Sequence, residues 1–210
     1  EVVELAEKLD MPVATSLSGT GLMPENHPLA LGVMGSLGGN AVANHLSAEA
    51  DVVLLVGYKN SQLATHGWKF PSDKQVVIHI DVDGAEISKM RPVDLGMVGD
   101  AKATLRLMLD CMDFTRSDAD IHSRIENERA LWKKQVAIDT AERAPISPQQ
   151  VVSVLNEICD ENTVIACDAS FSCGWASTYF DVYGNRRVLM PRGMSGLGYG
   201  LPSSVGAACA

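Results

Sequence analysis

An α/β fold with parallel sheets is predicted by three observations. Apolar, β-branched runs alternate with helical patterns along the chain. Those runs are continuous rather than alternating in polarity, as in strands covered on both faces of a parallel sheet. A charge-rich, glycine-poor stretch then divides the chain into a first unit (1–112), a linker with a helix (113–146) and the start of a second α/β unit (147–210).

Taken in order, Glu1 to Leu9 reads as an amphipathic helix and Pro12-Val-Ala-Thr15 as a short buried strand. Asn40 follows a glycine pair and is a natural N-cap for a helix to Ala48. Asp51-Val-Val-Leu-Leu-Val56 is an apolar strand ending at Gly57, and Gln75-Val-Val-Ile-His-Ile80 another ending at Asp81. A short helix from Gly84, a strand near Met97-Val98 and a helix from Ala101 to Cys111 complete the first unit. The linker carries Leu131, Trp132 and Val136 on a helical pattern and is expected to face solvent, with Pro145 and Pro148 punctuating its end. Ser147 before Pro148 predicts an N-cap with proline at the first helical position, opening a helix through Ile158. Thr163-Val-Ile-Ala-Cys167, Arg187-Val-Leu-Met190 and a helix from Leu201 follow, with a further helix after Asp168.

A net charge of −9 and pI near 4.9 argue against a surface that grips nucleic acid or an anionic membrane. No leader pattern or bilayer-spanning apolar run is present, so a cytoplasmic protein is expected. The five cysteines lack a C-x-x-C pair and are expected to be buried free thiols. Cys173, in a ligand-loop position, is a candidate reactive thiol. The histidines do not fall into zinc-ligand spacings. The chain opens inside a helix with no strand before it, closes in a small-residue helix, and gives its second unit few strands; a piece of a longer polypeptide is expected.

Chemistry concentrates in Pro191-Arg-Gly-Met-Ser-Gly-Leu-Gly-Tyr-Gly-Leu-Pro202. Glycines after a strand let backbone approach a ligand, and the following helix offers free N–H groups. The string resembles the G-x-G-x-M-G-F-G-L-P-A-A-I-G-A signature of thiamine-diphosphate enzymes. Leu197-Gly-Tyr-Gly-Leu-Pro202 takes the M-G-F-G-L-P place and Val205-Gly-Ala207 the I-G-A place. A second resembling string is Asp168-Ala-Ser-Phe-Ser-Cys-Gly-Trp175, at the carboxyl end of a strand where open α/β sheets bind ligands. The first unit is similar throughout to the central domain of the same enzymes, acetolactate synthases in particular. The strings are Pro12 to Ser16, Pro24 to Pro28, Leu31-Gly32, Ala50 to Gly57 and Ile78 to Asp83, then Ala85 to Ile87, Pro92-Val93 and Gly99-Asp100.

This resemblance implies a Rossmann-like central domain with a parallel sheet, then the beginning of a thiamine-diphosphate-binding domain. It implies that Leu197 is the apolar wedge that bends the cofactor, with its N–H facing the pyrimidine across Gly196 and the Ser195 carbonyl accepting from the amino group. It implies that Ala169, Ser170, Phe171 and Ser172 meet the diphosphate; acetolactate synthases carry a Gln-His pair where Phe171-Ser172 stands. In flavin-containing members the positions matching Gly57, Lys59, Asp81, Asp83 and Asp100 lie in FAD-contacting segments, with Lys59 replacing the usual arginine. The family's activating glutamate and its Mg²⁺ ligands have no match in this chain, so no catalytic acid, base or metal ligand is named and the piece alone is expected to be inactive. The implied parent is a 2-keto acid decarboxylase/carboligase working as a homodimer or homotetramer. Decarboxylation without carboligation is the alternative. A nucleotide-binding module without thiamine chemistry is a further one, which would call for G-x-G-x-x-G after the first strand; the loop there reads Ser16-Leu-Ser-Gly-Thr-Gly-Leu-Met23.

Overall fold

The computed structural model describes residues 1–210. Helix α1 (Val2–Leu9) leads into strand β1 (Val13–Thr15), which pairs in parallel with β2 (Ala30–Val33). Helix α2 (Ala41–Glu49) is followed by β3 (Val52–Val56), β4 (Val76–Asp81) and β5 (Leu95–Val98), a parallel three-stranded sheet in that order. Helices α3 (Ala101–Cys111), α4 (Ala119–Asp139) and α5 (Pro148–Ile158) precede the parallel pair β6 (Val164–Ala166) and β7 (Arg187–Leu189), which flank α6 (Phe171–Tyr179) in sequence. Helix α7 (Gly200–Cys209) comes last. Every strand pairing is parallel, and no helix is long and apolar enough to cross a membrane.

Local chemistry sets the helix starts. Asn40 and Asp100 accept from the N–H groups of Ala43 and Ala103, each at 2.8 Å, and cap α2 and α3. Ser147 and Gln150 form a reciprocal capping box at α5 with Pro148 at its first position. Asp10, in the left-handed region at the end of α1, accepts from Asp118 N–H at 2.7 Å and meets His122 at 2.6 Å. Its carboxylate thereby joins the end of α1 to the start of α4.

The core of the first unit has three parts, the smallest being Val53, Leu55 and Val77 on β3 and β4. Ala6, Met23, Leu29, Leu31, Val42, Leu46 and Ile125 form the larger cluster, around α2 and β2. Leu5, Ile80, Leu105 and Leu109 pack α1 and α3 against one face of β4. Ile125 is 1% exposed, and Ile121 and Trp132 pack beside it, so α4 lies on α2 instead of facing solvent along its length. Arg129 fastens it by donating to the carbonyls of His27 and Ala30, both at 2.7 Å. Of the residues read from the sequence as its helical stripe, Trp132 joins this seam, while Leu131 is 59% exposed.

Three further expectations differ from the structure. The segment from Gly84 forms turns, not a helix, because Asp81 and Asp83 accept locally from Asp83 N–H and Ala85 N–H and hold it in tight bends. Strand β5 is the sheet edge and stays exposed at Leu95, Gly96 and Val98, so coverage on both faces stops at β4. Among the thiols, Cys167 and Cys173 are buried, but Cys111 and Cys209 are exposed.

The two units touch at a close-packed seam. Gly174 of α6 meets the 35–39 loop so closely that an added Cβ would lie 2.7 Å from Leu37 Cδ1. Glu25 N–H donates to the Val182 carbonyl at 3.0 Å, and Glu25 Oε2 accepts from Val182 N–H at 3.1 Å. Burial pushes the Glu25 carboxyl from an ordinary 4.5 up to about 8; the Asp181 charge adds to this, and the Val182 N–H works against it. The folded chain therefore holds this proton more tightly than the unfolded chain. Its stability is expected to fall as pH rises from about 4.5 to about 8, by on the order of 2–4 kcal/mol. Urea melts of Glu25→Gln across that window should show the dependence flattened; an unchanged slope would assign it to another group.

Candidate functional site

Two loops at the carboxyl ends of β6 and β7 make the site. The first turns through Asp168 and Ala169 into α6, whose N-cap Ser170 makes no side-chain cap hydrogen bond. Ser170 sits at φ 102°, a left-handed conformation that costs a non-glycine residue about 1–3 kcal/mol and tends to mark functional turns. The N–H groups of Ser170, Phe171 and Ser172 have no hydrogen-bond partner within the chain, so the start of α6 presents free donors and the positive end of the helix dipole.

The second loop runs from Pro191 to Tyr199 and lines a concavity of about 450 Å³ with Gly193, Met194, Ser195, Gly196, Leu197 and Gly198. Its backbone carries the shape: Ser195 has φ 52° and Gly198 φ 88°, the latter a region glycine enters freely. A Cβ placed on Gly193, Gly196 or Gly198 meets nothing within 4 Å, so the loop stands open. Leu197 is 84% exposed, and neither its N–H nor the Ser195 carbonyl is used within the chain. An apolar side chain beside a free donor and a free acceptor is what a flat, polar-edged aromatic ring needs, so these residues fit a thiazolium–pyrimidine cofactor.

Asp168 latches the loops together. Its carboxylate accepts from Ala169 N–H at 2.7 Å and from Gly198 N–H at 3.0 Å on each oxygen. With the N–H groups of Tyr199 and Gly200 also directed at it, the carboxyl is held below the ordinary carboxylate range, against the effect of burial. The sequence places Asp168 at a strand end, where an acidic residue is an ordinary turn former; its reach across thirty positions is a property of the fold. Arg192 is a second residue that sequence reading passes over. Its Nε is buried without a partner, and its charge acts on Cys173 in the first turn of α6.

The structure also constrains the expected contacts. The Ser172 hydroxyl donates to the Asp168 carbonyl at 2.6 Å, which leaves its N–H as its free donor. Phe171 is exposed and stacks on Trp175 with centroids 5.9 Å apart. Cys173 is 1% exposed, its Sγ contacts the Asp168 carbonyl, and burial raises its thiol pKa, so it is a packed thiol and not a nucleophile.

A separate set of expected residues lies along the carboxyl edge of the three-stranded sheet. Gly57 follows β3, Asp81 ends β4 and Asp100 follows β5, with Lys59 and Asp83 exposed beside them. Each aspartate already accepts locally: Asp81 from Asp83 N–H, Asp83 from Ala85 N–H, Asp100 from Ala103 N–H. For Asp83 and Asp100 the second oxygen is left for a ligand hydroxyl, whereas Asp81 is buried with its Oδ2 3.9 Å from His79 Nε2. None of these residues lines the concavity of the second loop, so the structure does not bring the two sets into one site.

Comparison with known proteins adds a family to this geometry. The family described as thiamine pyrophosphate enzyme, central domain, matches residues 1–108. A probable acetolactate synthase large subunit of Methanococcus aeolicus is 34% identical over 99% of this chain and 37% of its own length. Its counterpart in Methanocaldococcus jannaschii is 34% identical over 99% of the chain and 36% of its own. Acetolactate synthase isozyme 3 large subunit of Escherichia coli is 29% identical over 98% and 36%. The chain thus spans little more than a third of the length of these relatives.

Proposed function

The chain belongs to the thiamine pyrophosphate enzymes, and from that premise we propose that it forms part of a thiamine-diphosphate-dependent 2-keto acid carboligase of the acetolactate synthase type. The observation that carries the reading is the Asp168 latch, which sets an open, apolar-tipped loop beside the free N–H groups of α6. When bound, thiamine diphosphate supplies a carbon nucleophile for the substrate carbonyl and an electron sink for the loss of CO₂. In this reading the α6 N-terminus, through Ser170, Phe171 and Ser172 N–H, holds the diphosphate, with Arg192 adding positive charge nearby. Leu197 supports the bend between the two rings, the Leu197 N–H and Ser195 carbonyl fix the pyrimidine edge, and Gly196 keeps the space between them clear. Residues that hold Mg²⁺ and that activate the pyrimidine are assigned to other parts of the enzyme, as is its homodimeric or homotetrameric assembly.

Decarboxylation without carboligation is the second reading. It is favoured by Phe171-Ser172, an exposed aromatic and a committed hydroxyl where the acetolactate synthases carry an amide and an imidazole. The β3–β5 edge is proposed as the place of a nucleotide cofactor, FAD in flavin-containing members; flavin absorbance that copurifies with the protein and is lost on joint replacement of Asp81 and Asp83 by alanine would support it.

The test of the main reading is Leu197→Ala in the enzyme that contains this stretch. With pyruvate as substrate, turnover should fall about 100-fold or more, while calorimetric titration with thiamine diphosphate and Mg²⁺ still shows binding. Unchanged turnover would mean that another residue bends the cofactor. Release of CO₂ without acetolactate in the unaltered enzyme would favour the second reading.

A further inference from the structure

The carboxyl edge of β6 and β7 holds one cation that the chain leaves unpaired. The second unit has three cationic side chains, Arg186, Arg187 and Arg192. Arg186 is buried among carbonyl and amide oxygens, and Arg187 donates to the carbonyls of Gly184 and Arg186, so both are engaged at the amino end of β7. Arg192 stands just past the carboxyl end of the same strand. Its Nε is buried without a partner, and the fork beyond it bonds to nothing in the chain. Asp168 is the carboxylate at this edge, and it gives its oxygens to the N–H groups of Ala169 and Gly198 instead. The other acids of the unit, Glu157, Asp160, Glu161 and Asp181, lie at the connections that enter β6 and β7.

Arg192 is turned toward α6. Pro191 and Gly193 on either side of it line the concavity under Leu197, but Arg192 does not, and its charge acts on Cys173 in the first turn of α6. A cation there meets what the helix start lacks. The N–H groups of Ser170, Phe171 and Ser172 are free, yet the Phe171 side chain has no donor and the Ser172 hydroxyl is committed to the Asp168 carbonyl. A helix start is equivalent to about half a unit charge, too little to balance a diphosphate, which is a multiply charged anion. A desolvated guanidinium nitrogen without a partner is destabilising until an anion meets it. Its planar fork matches two phosphate oxygens at once.

We propose that Arg192 grips the diphosphate of thiamine diphosphate together with the α6 N–H groups, and that its charge lets the enzyme hold this cofactor with less dependence on a divalent cation. The inference rests on the thiamine diphosphate site proposed above and goes beyond it by assigning how the anion is balanced. Arg192 and Mg²⁺ then share one anion, and each neutralises charge that would otherwise fall to the other. The loss of either is therefore felt more when the other is absent. Placed off the concavity that would take the rings, Arg192 serves the phosphate end of the cofactor and not the reacting carbon.

The test titrates thiamine diphosphate by calorimetry into the apoenzyme that contains this stretch, once with saturating Mg²⁺ and once in EDTA. The unaltered enzyme should still bind in EDTA. Arg192→Met should weaken binding roughly 10-fold with Mg²⁺ and about 100-fold or more in EDTA. Arg192→Lys keeps the charge but not the fork and should fall between the two. Amide exchange at Gly198 should be the same in all three proteins, because the Asp168 latch does not use Arg192. Equal affinity in the methionine variant would overturn the inference. So would a loss of equal size in both conditions, or faster exchange at Gly198, either of which would make Arg192 a packing residue. An unaltered enzyme that binds with Mg²⁺ and not at all in EDTA would overturn it too. Absence of binding even with Mg²⁺ would overturn the thiamine diphosphate site itself, and this inference with it.

Discussion

Replacing Arg186 by methionine is expected to lower stability by about 3–5 kcal/mol, the largest effect of any single substitution in the second unit. The side chain is 2% exposed, yet no carboxylate pairs with it. Its charge is spread over main-chain and amide oxygens. Nε donates to the Asp160 carbonyl at 3.0 Å, Nη1 to Asn156 Oδ1 at 2.7 Å and the Asp181 carbonyl at 3.2 Å, and Nη2 to the carbonyls of Asn156 and Cys159. Asn156 and Cys159 belong to the last turn of α5 and its cap, so the guanidinium satisfies carbonyls the helix leaves open and sits at the negative end of its dipole. The planar cation also lies 4.9 Å from the Phe180 ring centroid and 4.6 Å from that of Tyr183. Methionine fills much of the space but leaves these oxygens buried and unbonded. Lysine keeps the charge and loses the fork, so Arg186→Lys should fall between the two. Urea melts followed by tryptophan fluorescence, which reports Trp175 of the same unit, measure both; a methionine variant within about 1 kcal/mol of the parent would show that water replaces the bonds.

Arg186 also shows where the sequence stops being informative. It stands beside Arg187, and the string Gly184-Asn-Arg-Arg187 reads as a polar turn; nothing local says that one arginine is buried and its neighbour exposed. That difference arises only when α5 and the loop after α6 are brought together in space. Features written in short-range chemistry were legible: the caps Asn40 and Asp100, the Ser147-Pro148 start, and the strand runs that end at Gly57 and Asp81. Strand β2 was not read from the sequence, since Ala30-Leu-Gly-Val33 is short and broken by a glycine at φ 83°. The packed seam of α4 was missed because its anchors Ile121 and Ile125 stand among charges ahead of the Leu131-Trp132-Val136 pattern, of which Trp132 joins the seam and Leu131 is exposed. For the site, both loops were visible as strings, but the contact that joins them was not. It depends on a carboxylate and on N–H groups that every residue but proline possesses.

That contact carries the second large effect. Asp168→Ala should weaken thiamine diphosphate binding by on the order of 30- to 100-fold in the enzyme that contains this stretch. The carboxylate collects Ala169 N–H from its own turn and Gly198 N–H from the opposite loop, so its removal frees the Leu197 loop from the start of α6 without emptying a core. Amide exchange at Gly198 should accelerate in the variant, while exchange in β6 and β7 stays as it was. Because the donors hold the Asp168 carboxyl below the ordinary carboxylate range, the latch is ionised and intact at neutral pH; it is lost only as pH falls through that depressed value. Asp168→Asn keeps one accepting oxygen and cannot ionise. It should retain part of the affinity, and its loop exchange should no longer respond to acid. If alanine slowed turnover but left affinity and Gly198 exchange unchanged, Asp168 would be acting on the reaction itself, and the two loops would owe their approach to the packing of α7 on β6.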